Sequence, residues 1–265
     1  TVRRGIAVIS EFLCRKEFGT KKVPVKLSLS DKERRKVTVS CFQYREERGG
    51  NMESFVIEGT GRPIGGEVSI SGNKNAILPM IAAALLTEDE IILHNVPNII
   101  DVNIMLQIAE LLGTEVIREN TTLKLKTSKI SNNFLSRNNC TKIRTSLLFT
   151  GPLLVRTGKA TIWPPGGDVI GRRRLDAHFY GLNTMGAKII SESIPYKFET
   201  DRKLQGRDLF FDEASVTATE HIMMTATLAE GQTIIRNGAA EPHVCDLGEL
   251  LKKMGAKITG LGTNT

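Results

Sequence analysis

Cysteine is scarce in this chain and never closely spaced. The four thiols of its 265 residues, Cys14, Cys41, Cys140 and Cys245, form no CxxC pair and have no histidine at ligand spacing. That excludes the sequence signature of a disulfide framework or a thiolate metal site, and free thiols fit a reducing compartment. Long apolar runs are missing too. The longest, Ile77 to Leu86, is too short to span a bilayer. Arg3-Arg4 followed by Ile6-Ala7-Val8-Ile9 starts like a signal peptide, but Glu11 interrupts it before an apolar core forms. The protein therefore reads as cytosolic. Excess charge is absent from most of the chain. Residues 1–51 hold 13 Lys+Arg against 6 Asp+Glu, whereas residues 52–265 hold 23 of each. The net charge of +7 sits wholly in the leader, so the body offers no whole-domain electrostatic case for nucleic acid or membrane.

The leader lacks any clear helical or strand period, and Met52 stands directly before a body of different character. Glu46-Glu47-Arg48-Gly49-Gly50 can be encoded wholly by purines, as a bacterial ribosome-binding site is. Residues 1–51 are therefore expected to be upstream DNA read through, outside the native fold, with Met52 the true start. A native peptide running from Thr20 to Arg45 would refute this. The alternative is a basic arm for nucleic acid or anionic lipid, although basic arms without a motif are usually solvated.

What is present is enough apolar residue to bury a core, 40% of the chain, and an internal repeat. Leu112-Gly113-Thr114-Glu115-Val116, Met185-Gly186-Ala187-Lys188-Ile189 and Met254-Gly255-Ala256-Lys257-Ile258 are versions of one signal. In it a left-handed glycine ends a helix and a strand follows. The three glycines lie 73 and 69 residues apart. The first and third copies also agree at a constant offset of 142, with Ala84, Leu86, Glu88, Ile92 and Asn95 mapping onto Ala226, Leu228, Glu230, Ile234 and Asn237. Residues 90–94 and 232–236 read as strands. Asp101 reads as the N-cap of a helix with Val102, Met105, Ile108 and Leu112 on one face. Residues 122–126 alternate like a half-exposed strand. Three helix-and-sheet units packed around shared helices predict an α/β domain with pseudo-threefold symmetry.

The chemistry concentrates between Trp163 and His178. A Pro/Gly loop, Pro164-Pro165-Gly166-Gly167, presents one acid, Asp168, and Arg172-Arg173-Arg174 follow where a helix begins. The helix pattern is Leu175, His178, Phe179, Leu182 and Met185, stopped by Gly186. Cations at a helix N-terminus oppose the macrodipole, a cost that makes sense if an anionic ligand docks there. A solvated charge run beside an ordinary turn fits the same residues.

This loop resembles the catalytic loop of the enolpyruvyl transferases, in the form found in the UDP-N-acetylglucosamine 1-carboxyvinyltransferase family. Ser71-Gly72-Asn73-Lys74-Asn75-Ala76-Ile77-Leu78-Pro79 and Thr225-Ala226-Thr227-Leu228-Ala229-Glu230-Gly231 are similar to two further family segments, in order and spacing. The likeness runs from about Met52 to Thr265. Because the family's chains are much longer, it covers about the first half of one. The resemblance implies an inside-out α/β barrel domain of three repeated helix-and-sheet units, one of two such domains flanking the active-site cleft. On that reading 1–51 is the basic leader and 52–71 are first strands belonging with the second domain. Residues 72–245 are the transferase domain with its catalytic loop at 163–174, and 246–265 start a second domain that is mostly missing.

The implied reaction moves the enolpyruvyl group of phosphoenolpyruvate to the 3′-hydroxyl of UDP-N-acetylglucosamine and releases phosphate, the first committed step of peptidoglycan synthesis. The resemblance implies no cofactor, no metal, and no nucleic-acid or membrane partner. Asp168 takes the place of the loop acid, Cys in many members, and is the expected proton donor. An ordinary Asp titrates near about 3.9, so closure or bound anions must raise it; Asp is also simply common in Gly turns. Lys74 is expected to contact phosphoenolpyruvate and Asn75 the sugar, at a helix start suited to anions. Arg144 is expected near phosphoenolpyruvate and the amino sugar, and Arg173 between the phosphates of both substrates. Asp176 is expected to read the uracil ring, with Arg174, Leu175 and Ala177 in the same pocket, and Ser215 and Val216 to hold the diphosphate. Asp168, Lys74, Arg144 and Arg173 make up the catalytic set. His178 reads as a helix residue facing the core or the loop.

The chain departs from the family pattern in places. Arg174 stands where many members have Pro, Asn98-Ile99-Ile100 lacks a frequent basic residue, Glu213 replaces a Lys and Thr217 a Gly. The base for the sugar hydroxyl and the arginines of the second domain are absent, so the fragment alone is expected to be inactive and to need that domain to close the site. Two other readings stand beside this one: a non-catalytic UDP-sugar-binding half, and 3-phosphoshikimate 1-carboxyvinyltransferase. The latter usually has Gly-Ser-Lys-Ser where this chain has Gly72-Asn73-Lys74-Asn75.

Overall fold

The computed structural model describes residues 39–40, 56–57, 70–167, 174–191 and 193–265. The chain divides into two compact units, residues 1–70 and 71–265. In the first, β1 (Val39–Ser40) runs antiparallel to β2 (Val56–Ile57), with Val39 opposite Ile57.

The second unit is the repeat made physical. Its first copy runs α1 (Lys74–Ala83), β3 (Ile91–Leu93), α2 (Ile100–Leu112), β4 (Glu115–Glu119) and β5 (Thr122–Lys126). The second opens with β6 (Phe134–Leu135) and the short helix α3 (Arg137–Cys140). A 3-10 turn, Arg144–Phe149, then leads into α4 (Thr150–Thr157). β7 (Lys159–Ile162), α5 (Asp176–Thr184), β8 (Lys188–Ser191) and β9 (Tyr196–Glu199) complete that copy. The third is β10 (Asp208–Phe210), α6 (Val216–Ala226), β11 (Ile234–Arg236) and α7 (Pro242–Lys253). The offset of 142 holds at the helix starts, since α1 and α6 begin at 74 and 216, and α2 and α7 at 100 and 242. It holds in the backbone as well, where the matched Asn95 and Asn237 take positive φ of 56° and 54°. The three stop glycines, Gly113, Gly186 and Gly255, have φ of 109°, 104° and 104°, the left-handed conformation that ends a helix without a Cβ penalty.

Two local expectations are corrected. The third stop signal is not followed by a strand. β4 and β8 exist because β5 and β9 pair with them, and among the described residues nothing pairs with 256–258. Asp101 is not a cap. Ile99, extended at φ −130° and ψ 159°, is the N-cap of α2, and Asp101 lies one residue inside the helix. There its charge still favours the positive end of the dipole.

The strands form three sheets in the second unit: β3-β5-β4, β6-β7-β9-β8 and the parallel pair β10-β11. Among the described residues no ladder joins one sheet to another, so the expected barrel is not a closed one. The inside-out arrangement is plain in the burial. α1 buries Ala76, Ile77, Leu78, Ile81, Ala82 and Ala83, spread round its whole circumference, and α6 is buried from Ala218 to Thr225. Helices apolar on every side belong inside, and here α1 packs on α2 and α7 while α6 packs on α4, α5 and α7. The strands alternate buried and exposed positions, as β3 and β7 do, and so form the outer walls. Phe179 of α5 meets Tyr196 and Phe198 of β9 edge-on, with ring centres 5.0 and 5.2 Å apart. Residues 246–265 lie within this unit, where Leu247 and Leu251 join its core and the Gly238 N–H donates to the Asn264 carbonyl at 3.0 Å. Among the described residues, no helix is long and apolar enough to cross a membrane.

Candidate functional site

Four helical segments start with the residues that the sequence singles out. Asn73 caps α1, its Oδ1 accepting from the Asn75 N–H at 2.8 Å, so Lys74 and Asn75 occupy the first turn, where among the described residues the Lys74 and Ala76 N–H groups find no acceptor. Pro79 has no N–H to give the Asn75 carbonyl, which frees a further polar atom in that turn. Lys74 Nζ lies 3.0 Å from Asp101 Oδ2, and both side chains are well exposed. A pair this exposed stabilises by at most about 1 kcal/mol, so an anionic ligand can take the Lys74 ammonium without a large penalty.

Arg144 opens the 3-10 turn, and its Nη2 donates to the Arg174 carbonyl at 3.2 Å. The loop before Asp168 is seated on the segment that leads into this turn, residues 140–144. The Gly166 N–H donates to the Cys140 carbonyl at 2.9 Å, and a Cβ at Gly166 would lie 1.9 Å from the Thr141 carbonyl oxygen. Gly167, at φ 100°, packs against the Arg144 Cβ. Asp168 and Arg173, two of the four expected catalytic residues, lie outside the described residues, as does Arg172. The structure therefore carries the loop to the Arg144 turn and takes it up again at Arg174.

Leu175 is the N-cap of α5, and Asp176 is its first residue. Asp176 is engaged: the Arg174 guanidinium donates to its carboxylate from two residues away, and that pairing raises the Arg174 pKa. Asp212 and Glu213 add smaller electrostatic contributions of the same sign, which places the Arg174 charge close to the entrance of α6. Ala177 is buried behind this pair. At α6, Ser215 is the N-cap and its Oγ accepts from the Ala218 N–H at 3.3 Å. Among the described residues the N–H groups of Val216 and Thr217 find no acceptor, so this helix start also presents donors to an anion. Arg144, Arg174, Asp176, Ser215 and Val216 thus gather around the starts of α5 and α6. Lys74 and Asn75 stand at the start of α1, which packs on the Arg144–Phe149 turn.

His221 and Glu220 escaped the sequence reading, as did the partners of His178. His178 is buried, as a core-facing helix residue would be, and its Nδ1 lies 3.1 Å from Nδ1 of His221, also buried. Its Nε2 lies 3.2 Å from Thr217 Oγ1. Burial pushes both imidazoles down, His221 to about 3, with the neighbouring His221 and Arg144 lowering His178 further. Glu220 is 2% exposed, its Oε1 has no hydrogen-bond partner among the described residues, and burial, with Glu241 nearby, pushes its carboxyl up to about 8. Thr217 and His221 are four apart on one helix face, which was the one legible hint.

Residues 59–265 match the family described as EPSP synthase (3-phosphoshikimate 1-carboxyvinyltransferase). The chain is similar to the UDP-N-acetylglucosamine 1-carboxyvinyltransferase of Treponema denticola, 53% identical over 80% of this chain and 50% of the relative. It is likewise similar to that of Borreliella burgdorferi, 50% identical over 80% of this chain and 49% of the relative. The chain thus spans about half the length of the curated relatives it matches. Among solved structures, the enolpyruvyl transferase NikO of Streptomyces tendae aligns at a TM-score of 0.60 and 17% identity, over 71% of this chain and 44% of that one. EPSP synthase of Acinetobacter baumannii aligns at 0.59 and 17% identity, over 75% and 45%. These two show the fold alone.

Proposed function

The chain belongs to the EPSP synthase family of enolpyruvyl transferases, and from that premise we propose that its site serves transfer of the enolpyruvyl group of phosphoenolpyruvate to the 3′-hydroxyl of UDP-N-acetylglucosamine. The observation that carries this is the seating of the Gly166-Gly167 loop on residues 140–144, the segment that ends with Arg144. Up to Gly167 the loop is thereby held beside Arg144, and Asp168 is the next residue in the chain. The curated relatives named for this reaction support the acceptor.

Asp168, protonated, gives its proton to the methylene carbon of phosphoenolpyruvate as the sugar oxygen bonds to the adjacent carbon. Loss of phosphate and return of the proton to the carboxylate restore the double bond. Lys74, Arg144 and Arg173 balance phosphate and carboxylate charge where it builds up. Asn75 meets the sugar, Arg174, Leu175, Asp176 and Ala177 line the uridine pocket, and Ser215 and Val216 hold the diphosphate. For Asp176 to read uracil, the Arg174 guanidinium must turn from it toward the diphosphate.

The base for the sugar hydroxyl is assigned to a second domain. Phosphate release by the chain joined to a second domain tests the reading against a binding half: binding of UDP-N-acetylglucosamine without release under those conditions favours the latter. Competition with shikimate 3-phosphate separates the two acceptors, and displacement by it would overturn the assignment. An Asp in the loop also predicts insensitivity to fosfomycin, whose epoxide alkylates a thiolate. Asp168→Cys is expected to gain time-dependent inactivation, and potent inactivation of the parent would refute Asp168 as the loop acid.

A further inference from the structure

The histidine pair is unused by the mechanism above, yet its protons have a definite order. The Gly151 N–H donates to His221 Nε2 at 2.9 Å, so that nitrogen is unprotonated. A Cβ at Gly151 would lie 2.1 Å from Thr225 Oγ1 and 3.0 Å from the His221 ring, so the contact depends on glycine. Neutral His221 then carries its proton on Nδ1 and donates it to His178 Nδ1. His178 in turn holds its proton on Nε2 and donates to Thr217 Oγ1. Three helices contribute to this one-way chain, α4 through Gly151, α5 through His178 and α6 through His221 and Thr217.

The chain ends on a hydroxyl that accepts on one of its two lone pairs. A helical Thr usually donates back to the carbonyl four residues earlier. Thr219 does so to Ser215, and Thr225 to His221, both at 2.8 Å. For Thr217 no such bond exists among the described residues. Thr217 is partly exposed in the first turn of α6, beside the unpaired N–H groups of Val216 and Thr217.

We propose that His221 and His178 are positioning residues that fix the Thr217 hydroxyl as a donor to an anionic oxygen of the diphosphate at the start of α6. This rests on the reading of that helix start as the diphosphate subsite. An unrestrained hydroxyl could turn a lone pair toward the anion and weaken binding. Here the histidine chain occupies one of the two lone pairs, which leaves fewer orientations that turn the proton away from the anion.

Nitrogen NMR of the histidines in the purified chain reads the proton order without any ligand. The expected result at neutral pH is neutral His221 protonated on Nδ1 and neutral His178 protonated on Nε2; the opposite tautomers would overturn the chain. Calorimetry with UDP-N-acetylglucosamine and with uridine reads the consequence. Thr217→Val is expected to weaken the nucleotide sugar roughly ten- to hundredfold, the loss of one hydrogen bond to a charged group. It should leave uridine unchanged, and Thr217→Ser should restore affinity. His178→Phe should weaken the nucleotide sugar by no more than Thr217→Val does, with no further loss in the double variant. Parent-like binding by Thr217→Val, or equal loss of uridine, overturns the proposal. If the parent binds no UDP-N-acetylglucosamine, the subsite reading itself fails, and the tautomers report separately whether the chain is formed.

Discussion

Glu220→Gln is expected to stabilise the protein at pH 8.5 and to change little at pH 5. The Glu220 carboxyl is buried with one oxygen unpartnered, and its pKa is pushed from 4.5 to about 8. A carboxyl with a raised folded pKa binds its proton more tightly in the native chain than in the unfolded one. Its contribution is therefore complete below the unfolded value and is lost as pH rises through about 8. At about 1.36 kcal/mol per unit the full shift bounds the penalty near 5 kcal/mol. Relaxation around the charge reduces this, and a gain of about 2–3 kcal/mol, or roughly 5–10 °C in Tm, is the expected size at this chain length. The buried histidines have the opposite sign. Their folded pKa values are depressed, so their contribution is present above the unfolded value of 6.5 and is lost as pH falls. The parent should be most stable near pH 6.5, and the glutamine variant should hold that stability to higher pH. Thermal melts of both proteins at pH 5, 6.5 and 8.5 check this. A Tm difference that does not grow with pH would show that Glu220 is not a protonated buried acid.

The contrast between Glu220 and the helix stops shows which features could be read from sequence. Gly113, Gly186 and Gly255 act locally, since each ends the helix it follows, and the offset that relates the first and third copies survives into helix starts and even into the φ angles of Asn95 and Asn237. Lys74, Arg144 and Ser215 were likewise legible because a helix start is a local event. The strand expected at 256–258 failed because a strand depends on a partner elsewhere in the chain, and Asp101 failed as a cap because one residue of boundary is finer than a hydrophobic period can resolve. The partners of His178 and the burial of Glu220 are of another kind. His178 and His221 are 43 residues apart, and nothing near either one encodes the crossing of α5 with α6 that joins them. Arg174 and Asp176 are close in sequence, yet their pairing depends on how the chain enters α5. The resemblance assigned Asp176 a ligand, while the physical pairing shows the charge it must first give up.

Gly166→Ala is expected to cost at least about a hundredfold in enolpyruvyl transfer while lowering Tm by only a few degrees. The new Cβ would stand 1.9 Å from the Thr141 carbonyl oxygen, 2.5 Å from its carbon and 2.9 Å from the Thr141 Cα. All three are backbone atoms, so no side-chain rotation relieves them. The Gly166 N–H is meanwhile tied to the Cys140 carbonyl, so relief requires that this bond break and the loop rise by about an ångström or more. Misplacement of that order at a reacting group costs about a hundredfold. Gly167→Ala is the useful comparison. Its penalty is conformational, about 1–2 kcal/mol for a left-handed residue, and its Cβ would meet the Arg144 Cβ at 3.3 Å, a contact that a small shift relieves. Phosphoenolpyruvate-dependent phosphate release by the chain joined to a second domain, measured with the UDP-N-acetylglucosamine affinity of each variant, separates the two. The expected order is parent, then Gly167→Ala, then Gly166→Ala, with affinity for the nucleotide sugar falling less than turnover, because its contacts on α5 and α6 do not ride on the loop. Turnover of Gly166→Ala within a few-fold of the parent would mean that the Thr141–Arg144 turn does not set the position of Asp168, and the seating that carries the functional reading would lose its meaning.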